Sequence, residues 1–353
     1  MTRPFDSAPP GWIAPAGLRT VALVVLTAAA SWWLLGELAG VLRPLLLAVF
    51  LGYALMPYYN RLRRVLPGPV AVGLLAVATV GLLGGLGLAV YGGLLGLADE
   101  LQGVRPRVTE VVADVKGWLA KVPYLGPTVE GLTLADERVT DRLARGAAQA
   151  VSSAAGTLVE AAAAGLYLSF LLLESARLPD RIRAAYPPDR AAHILRVFGR
   201  INAGIISYLR AKVLSSLLIA LPVGGVLAAC GVRFALVWGV LTFLCNFIPY
   251  VGSVVAYLVP VGFAAVQFGL TWPTFTAAGL LLGLHLLGAA VVEPTVLGRA
   301  VGLSPLVILA ALSLWGTLWG VPGMFLAVPL TMVIKIVCDN IDGAKPVARL
   351  LGG

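Results

Sequence analysis

Recognising a polar group takes donors, acceptors or a charge, and the apolar part of this chain offers few of them. From Phe234 to Val292 there is no Asp, Glu, Lys or Arg. Asn246, Ser253 and His285 lie inside that stretch, and Glu293 follows it directly. Asn246 brings two donors and an acceptor, and Ser253 a hydroxyl. His285 titrates near neutrality in its ordinary state. Ionisable groups inside an apolar span are costly to bury and mark pathways by default. Two readings of His285 stay open, a proton relay or a packing residue bonded to a carbonyl. Glu293, near Arg299, is read either as a ligand or as a snorkelling or structural ion-pair member. Glu160, near the end of its span, reads as partly exposed rather than coupled.

The backbone beside these groups is interrupted. Pro249 has no N–H and clashes with the preceding turn, and Gly252 lowers helix propensity again. The same device recurs where Pro322 and Gly323 divide the charge-free run from Ala300 to Ile334. Unwound backbone at membrane depth must be buried in protein or line a wet cavity. A site of this kind suits a small polar solute or a cation. The alternative at each break is a packing kink whose Asn caps a helix end. Alanine at Pro249 and Gly252 is expected to preserve folding and impair flux.

Enzyme chemistry fits poorly. The chain has no HExxH, no Walker A loop and no GxGxxG after a strand. Paired carboxylates are missing from the apolar runs, and Ser253 with His285 has no oxyanion-hole sequence beside it. Cys230, Cys245 and Cys338 are isolated, so neither a metal nor a cofactor site is implied.

These groups sit in a chain that is 59% hydrophobic and 12% charged, against about a quarter charged for a soluble domain. Several apolar runs exceed the ~20 residues a helix needs to cross a bilayer. Ala, Leu and Gly dominate without strand alternation, so the spans are helices surrounded by lipid. The net charge is +9. Its basic residues collect in short loops, which is the positive-inside bias rather than a nucleic-acid surface.

The boundaries read as a tail at 1–19, three helices in 20–98, an extramembrane amphipathic helical module at 99–150 and a fourth helix at 151–174. A basic helical segment follows at 175–204, then a core at 205–338 and a tail at 339–353. No signal peptide is expected in the first 19 residues, which hold Pro and Gly but no apolar core. The third helix carries Gly81/Gly85 and Gly92/Gly96 at small-xxx-small spacing, read as internal packing or a subunit contact. Arg61, Arg63 and Arg64 and the Arg177–Arg200 segment place both termini in the cytoplasm.

Within the core, a helix followed by a broken hairpin occurs twice, in opposite orientation. Broken segments in matched positions of an inverted repeat point to a transport site. The fold class is thus an all-α polytopic membrane protein of about eight membrane segments, including two broken or re-entrant hairpins in inverted orientation.

Three ordered motifs sharpen this. Asn246-Phe-Ile-Pro-Tyr-Val-Gly252 comes first, then Glu293-Pro294-Thr-Val-Leu-Gly298-Arg299 with Gly302-Leu-Ser304-Pro305. Trp315-Gly-Thr-Leu-Trp-Gly-Val-Pro-Gly323-Met324 with Ala327-Val-Pro329 is last. Together with Leu51-Gly-Tyr-Ala-Leu-Met-Pro57, they resemble the autoinducer-2 exporter family of bacterial membrane transporters over nearly the whole chain. The resemblance adds Tyr250, Pro294 and Ser304 to the candidate binding residues. It implies a secondary transporter of the bacterial inner membrane, an elevator-like mechanism and a homo-oligomer, with a pentamer as one form. The implied passenger is the furanone autoinducer-2 or a similar solute, with Na⁺/H⁺ exchange as the alternative. A membrane scaffold without transport is the alternative of a different class. Where the family often has Gly-Asn, this chain has Ala289-Ala290, so one polar contact is absent.

Overall fold

A computed structural model describes residues 15–103, 113, 117, 160, 162–175, 177–297 and 302–352. The described residues form helices and no strands. In order these are α1 (Pro15–Glu37), α2 (Ala39–Leu62), α3 (Gly68–Gly103) and α4 (Ala162–Ser175). α5 (Leu178–Ala185) and the 42-residue α6 (Pro188–Ala229) follow. Next come α7 (Ala235–Cys245), α8 (Val251–Phe268) and α9 (Trp272–Leu287), which continues through a π-turn at Gly288–Val292 into α10 (Glu293–Leu297). α11 (Pro305–Asp339) and α12 (Lys345–Leu351) complete the chain. Six of the described helical segments are long and apolar enough to cross a membrane. Most of the expected module at 99–150, together with Arg299, lies outside the described residues.

The core is organised by one stripe on α6. Lys212, Ser216, Ala220 and Gly224 repeat every four residues and therefore share a face. The upper half of the stripe is small. A Cβ on Gly239 of α7 would lie 3.5 Å from both the Ala220 carbonyl oxygen and Gly224 Cα, so α6 and α7 meet nearly backbone to backbone. The lower half is polar and buried. Further along α7, Thr242 and Asn246 recur on the Gly239 face and meet that polar half.

Both interruptions are present. α7 ends at Cys245, and Asn246–Tyr250 turn the chain into α8. Tyr250 takes φ 62°, ψ −62°, strained backbone for a residue with a side chain. Gly252 makes the turn possible, because a Cβ there would stand 1.7 Å from the Cys245 carbonyl oxygen. In α11 the break narrows to a single residue, Gly320, at φ 67°, ψ −144°. Its arms are 305–319 and 321–339, longer than the sequence pattern suggests. Gly320 alone absorbs the reversal, and Pro322 sits in the first turn of the second arm, where no N–H is needed. Gly323 repeats the role of Gly252, since its Cβ would fall 1.9 Å from the Trp315 carbonyl oxygen.

Each hairpin returns to the side it came from. At one end, Gln267 Nε2, near the close of α8, donates to the Gly231 carbonyl before α7 at 2.9 Å. At the other, Lys335 donates to the Gly302 carbonyl, and the Ser304 N–H donates to Leu351 O at 3.2 Å. The first hairpin hangs from the end of α6. The second rises from beside its start, where Arg200 donates to Asn340 at 3.1 Å. The tips meet between these levels. Phe247 stacks on Phe325 with centroids 4.7 Å apart, and Ile248 packs among Ala311, Leu312 and Ala327. The buried Trp319 indole donates to Leu35 O at 3.0 Å, tying the second tip to α1.

Two other expectations gain detail. Glu160 stands 3.9 Å from Arg43. Gly81, Gly85 and Gly92 meet no described atom within 4 Å, whereas a Cβ on Gly93 would stand 2.3 Å from Val237 Cγ2 on α7.

The Gly252 contact revises the expectation for alanine at that position. Gly252→Ala and Gly323→Ala each drive a methyl into a carbonyl, an overpacking that costs roughly 1–3 kcal/mol. Thermal unfolding in detergent, followed by tryptophan fluorescence, should show a lowered Tm for both. Gly225→Ala, whose methyl meets nothing within 4 Å, should not lower it. Equal melting of all three would show that these close approaches are not constraining.

Candidate functional site

Where α6, the first tip and the α9 π-turn converge, polar groups collect. Lys212 Nζ donates to Glu293 Oε1 at 2.9 Å. The lysine side chain is only 3% exposed, while that of Glu293 is 38% exposed. Asn246 Nδ2 donates to Ser216 Oγ at 2.9 Å, which joins the first tip to the α6 stripe. The hydroxyl of Ser215 donates to the Lys212 carbonyl at 3.0 Å, and that of Thr242 to Trp238 O at 2.8 Å.

The π-turn explains how a glutamate reaches α6. The Glu293 N–H bonds to Gly288 O, five residues back rather than four. In a regular helix Val292 would lie above Gly288; the extra residue rotates Glu293 there instead. Gly288 itself abuts α6, since its Cβ would be 2.8 Å from Ile219 Cδ1. Pro294 has no N–H to give back to this turn, which favours its widening.

Thr242, Asn246, Ser253, His285, Ala289 and Glu293, with Ile219, Ala256 and Gly288, line a small, partly open cavity of about 20 Å³. That is room for a water molecule. His285 Nδ1 bonds to Leu281 O at 2.9 Å, which makes Nδ1 the protonated nitrogen. Its Nε2 is buried and without a partner among the described residues. Tyr257 meets the ring edge-on, with centroids 6.0 Å apart.

Asn246, Ser253, His285 and Glu293 are thus brought together, with Pro249, Tyr250 and Gly252 shaping the turn beside them. Pro294 follows Glu293 but is exposed. Ser304 is elsewhere and caps α11, its hydroxyl accepting from the Val307 N–H at 3.3 Å. Pro322 and Gly323 belong to the second tip, whose contact with the first is aromatic and dry. The polar cavity lies beside the first tip rather than between the two. Sequence reasoning missed Lys212, Ser215 and Ser216. The four-residue stripe, with an ionisable member inside a span, was the available signal.

Opposed broken hairpins, interrupted helices and a small polar cavity are the features of an α-helical membrane protein of the transporter class. Residues 21–343 match the model of the AI-2E family transporters. The chain is 30% identical to the AI-2 transport protein TqsA of Escherichia coli K12, covering 89% of this chain and 90% of that protein. It is 29% identical to the protein of the same organism named "Putative transport protein YhhT", covering 95% and 93%. It is 33% identical to "Putative transport protein MT0215" of Mycobacterium tuberculosis, covering 95% and 94%. The chain belongs to the AI-2E family of transporters.

Removing Glu293 strands a buried ammonium, and breaking a buried pair from one side costs about 3–5 kcal/mol. Glu293→Gln should therefore lower the Tm more than Lys212→Met, which leaves a carboxylate that water reaches. The double variant should recover much of the loss. Additive effects in this cycle would mean that the pair contributes no coupling.

Proposed function

We propose that this membrane transporter is a secondary transporter of the AI-2 exporter type. It carries a small, hydroxyl-rich solute such as autoinducer-2 across the bacterial cytoplasmic membrane, with both termini in the cytoplasm. The observation that carries this reading is the cavity beside the first hairpin tip, where Asn246, Ser253 and the unpartnered Nε2 of His285 converge. Their donors and acceptors suit the hydroxyls of a small furanone, and the name of the TqsA relative supports that class. The cavity as it stands has room for water but not for such a solute. The passenger enters when the first hairpin moves against α6, by an elevator-like displacement within a homo-oligomer, a pentamer being the form considered. The apolar contact between the tips gives way to such movement without breaking a polar pair, whereas the slide against α6 releases the Asn246–Ser216 bond. Na⁺/H⁺ exchange would call on Glu293, and the pairing of that carboxylate with Lys212 favours the solute reading. A scaffold requires no unwound backbone inside the bilayer.

Purified protein in liposomes, assayed with autoinducer-2 under an imposed proton gradient, tests this. Wild type should accumulate the solute, and Asn246→Ala or Ser253→Ala should cut the initial rate about tenfold, the equivalent of one good hydrogen bond. A Na⁺ jump should leave an internal pH dye flat. Absence of solute flux together with a Na⁺-driven pH change would replace the proposal with exchange.

A further inference from the structure

The Lys212–Glu293 pair has a geometry that transport of a neutral solute does not require. An ammonium 97% removed from solvent ends on a carboxylate that lines the cavity. That carboxylate shares the cavity lining with neutral oxygens, the ligand types a small hard cation would use. Glu293 supplies the charge. Asn246 commits its Nδ2 to Ser216, which leaves its amide oxygen without that role, and Thr242 and Ser253 add hydroxyls to the lining. Tyr208, one turn before Lys212 on α6, has a buried hydroxyl without a partner among the described residues.

We propose that the Lys212 ammonium occupies a monovalent-cation site as a tethered substitute, so that the native protein needs no Na⁺ there and loss of the ammonium opens the site to Na⁺ or Li⁺. A tethered charge competes at high effective concentration, because it is never free to diffuse away. Displacing it would also strand it. Glu293 is its one ion-pair partner among the described residues. Lys212→Met keeps the aliphatic stem's volume and removes only the charged head. The carboxylate is then left with room beside it for a cation of that charge. The inference concerns occupancy of the site and stands whichever solute is carried.

The test is thermal unfolding of the purified full chain in detergent, with NaCl, LiCl or choline chloride at matched ionic strength. Wild type should melt at the same temperature in all three salts. Lys212→Met should melt lower in choline, and should gain roughly 2–4 °C at about tenfold excess of Na⁺ or Li⁺ over its Kd. The rise should follow the logarithm of Na⁺ concentration and vanish in Lys212→Met/Glu293→Gln. Three results would overturn the proposal. One is a wild type stabilised by Na⁺, which would mean that the cation displaces Lys212. Another is a single variant indifferent to Na⁺, or one that fails to fold in every salt. The third is a double variant that keeps the response, which would place the cation elsewhere.

Discussion

A helix that stops inside a bilayer leaves peptide groups that lipid cannot satisfy, and this structure is arranged around meeting that demand twice. Each group left unbonded in hydrocarbon costs several kcal/mol. The first tip answers with local bonds. Asn246 N–H donates to Thr242 O at 3.0 Å, Ile248 N–H to Cys245 O at 2.9 Å and Gly252 N–H to Ile248 O at 3.0 Å. The second compresses the interruption to Gly320 alone. In both, a glycine just after the break lets the returning arm rest against a carbonyl of the arm before it. Each tip then packs against the other through Phe247, Ile248 and Phe325.

Protecting the tips in this way leaves little room for polar groups between them, and the chemistry collects to one side. There α6 contributes a face that is small where α7 must approach and polar where the α7 turn arrives. The π-turn in α9 completes the site by rotating Glu293 onto that face. An ion pair so placed can be present because both members are paired, and a buried charge without its partner would be expensive. The result is a pocket beside a charge-neutral pair, lined by an imidazole and an amide and bounded by backbone that is already unwound.

The spans, the two breaks and their inverted order were legible because composition and punctuation act locally. A charge-free run of lipid length must be helix, and a proline or glycine within it must interrupt that helix wherever the rest of the chain lies. Asn246, Ser253, His285 and Glu293 were legible for a related reason, since polar groups stand out against an apolar background. Ser304, Pro322 and Gly323 come from the same motifs but lie away from that cavity, Ser304 capping α11 and the other two at the second tip. Local pattern does not separate a residue that shapes a turn from one that faces a cavity.

The sequence by itself determined a helical membrane chain with paired interruptions, because hydrophobic length and backbone chemistry are properties of contiguous residues. Tertiary structure alone decided that the tips would be dry and the cavity polar, and that Lys212 would be the partner of Glu293. Those outcomes rest on contacts between residues eighty positions apart. They depend on which face of α6 meets α7 and on one extra residue in a helical turn. Neither is set until the helices pack.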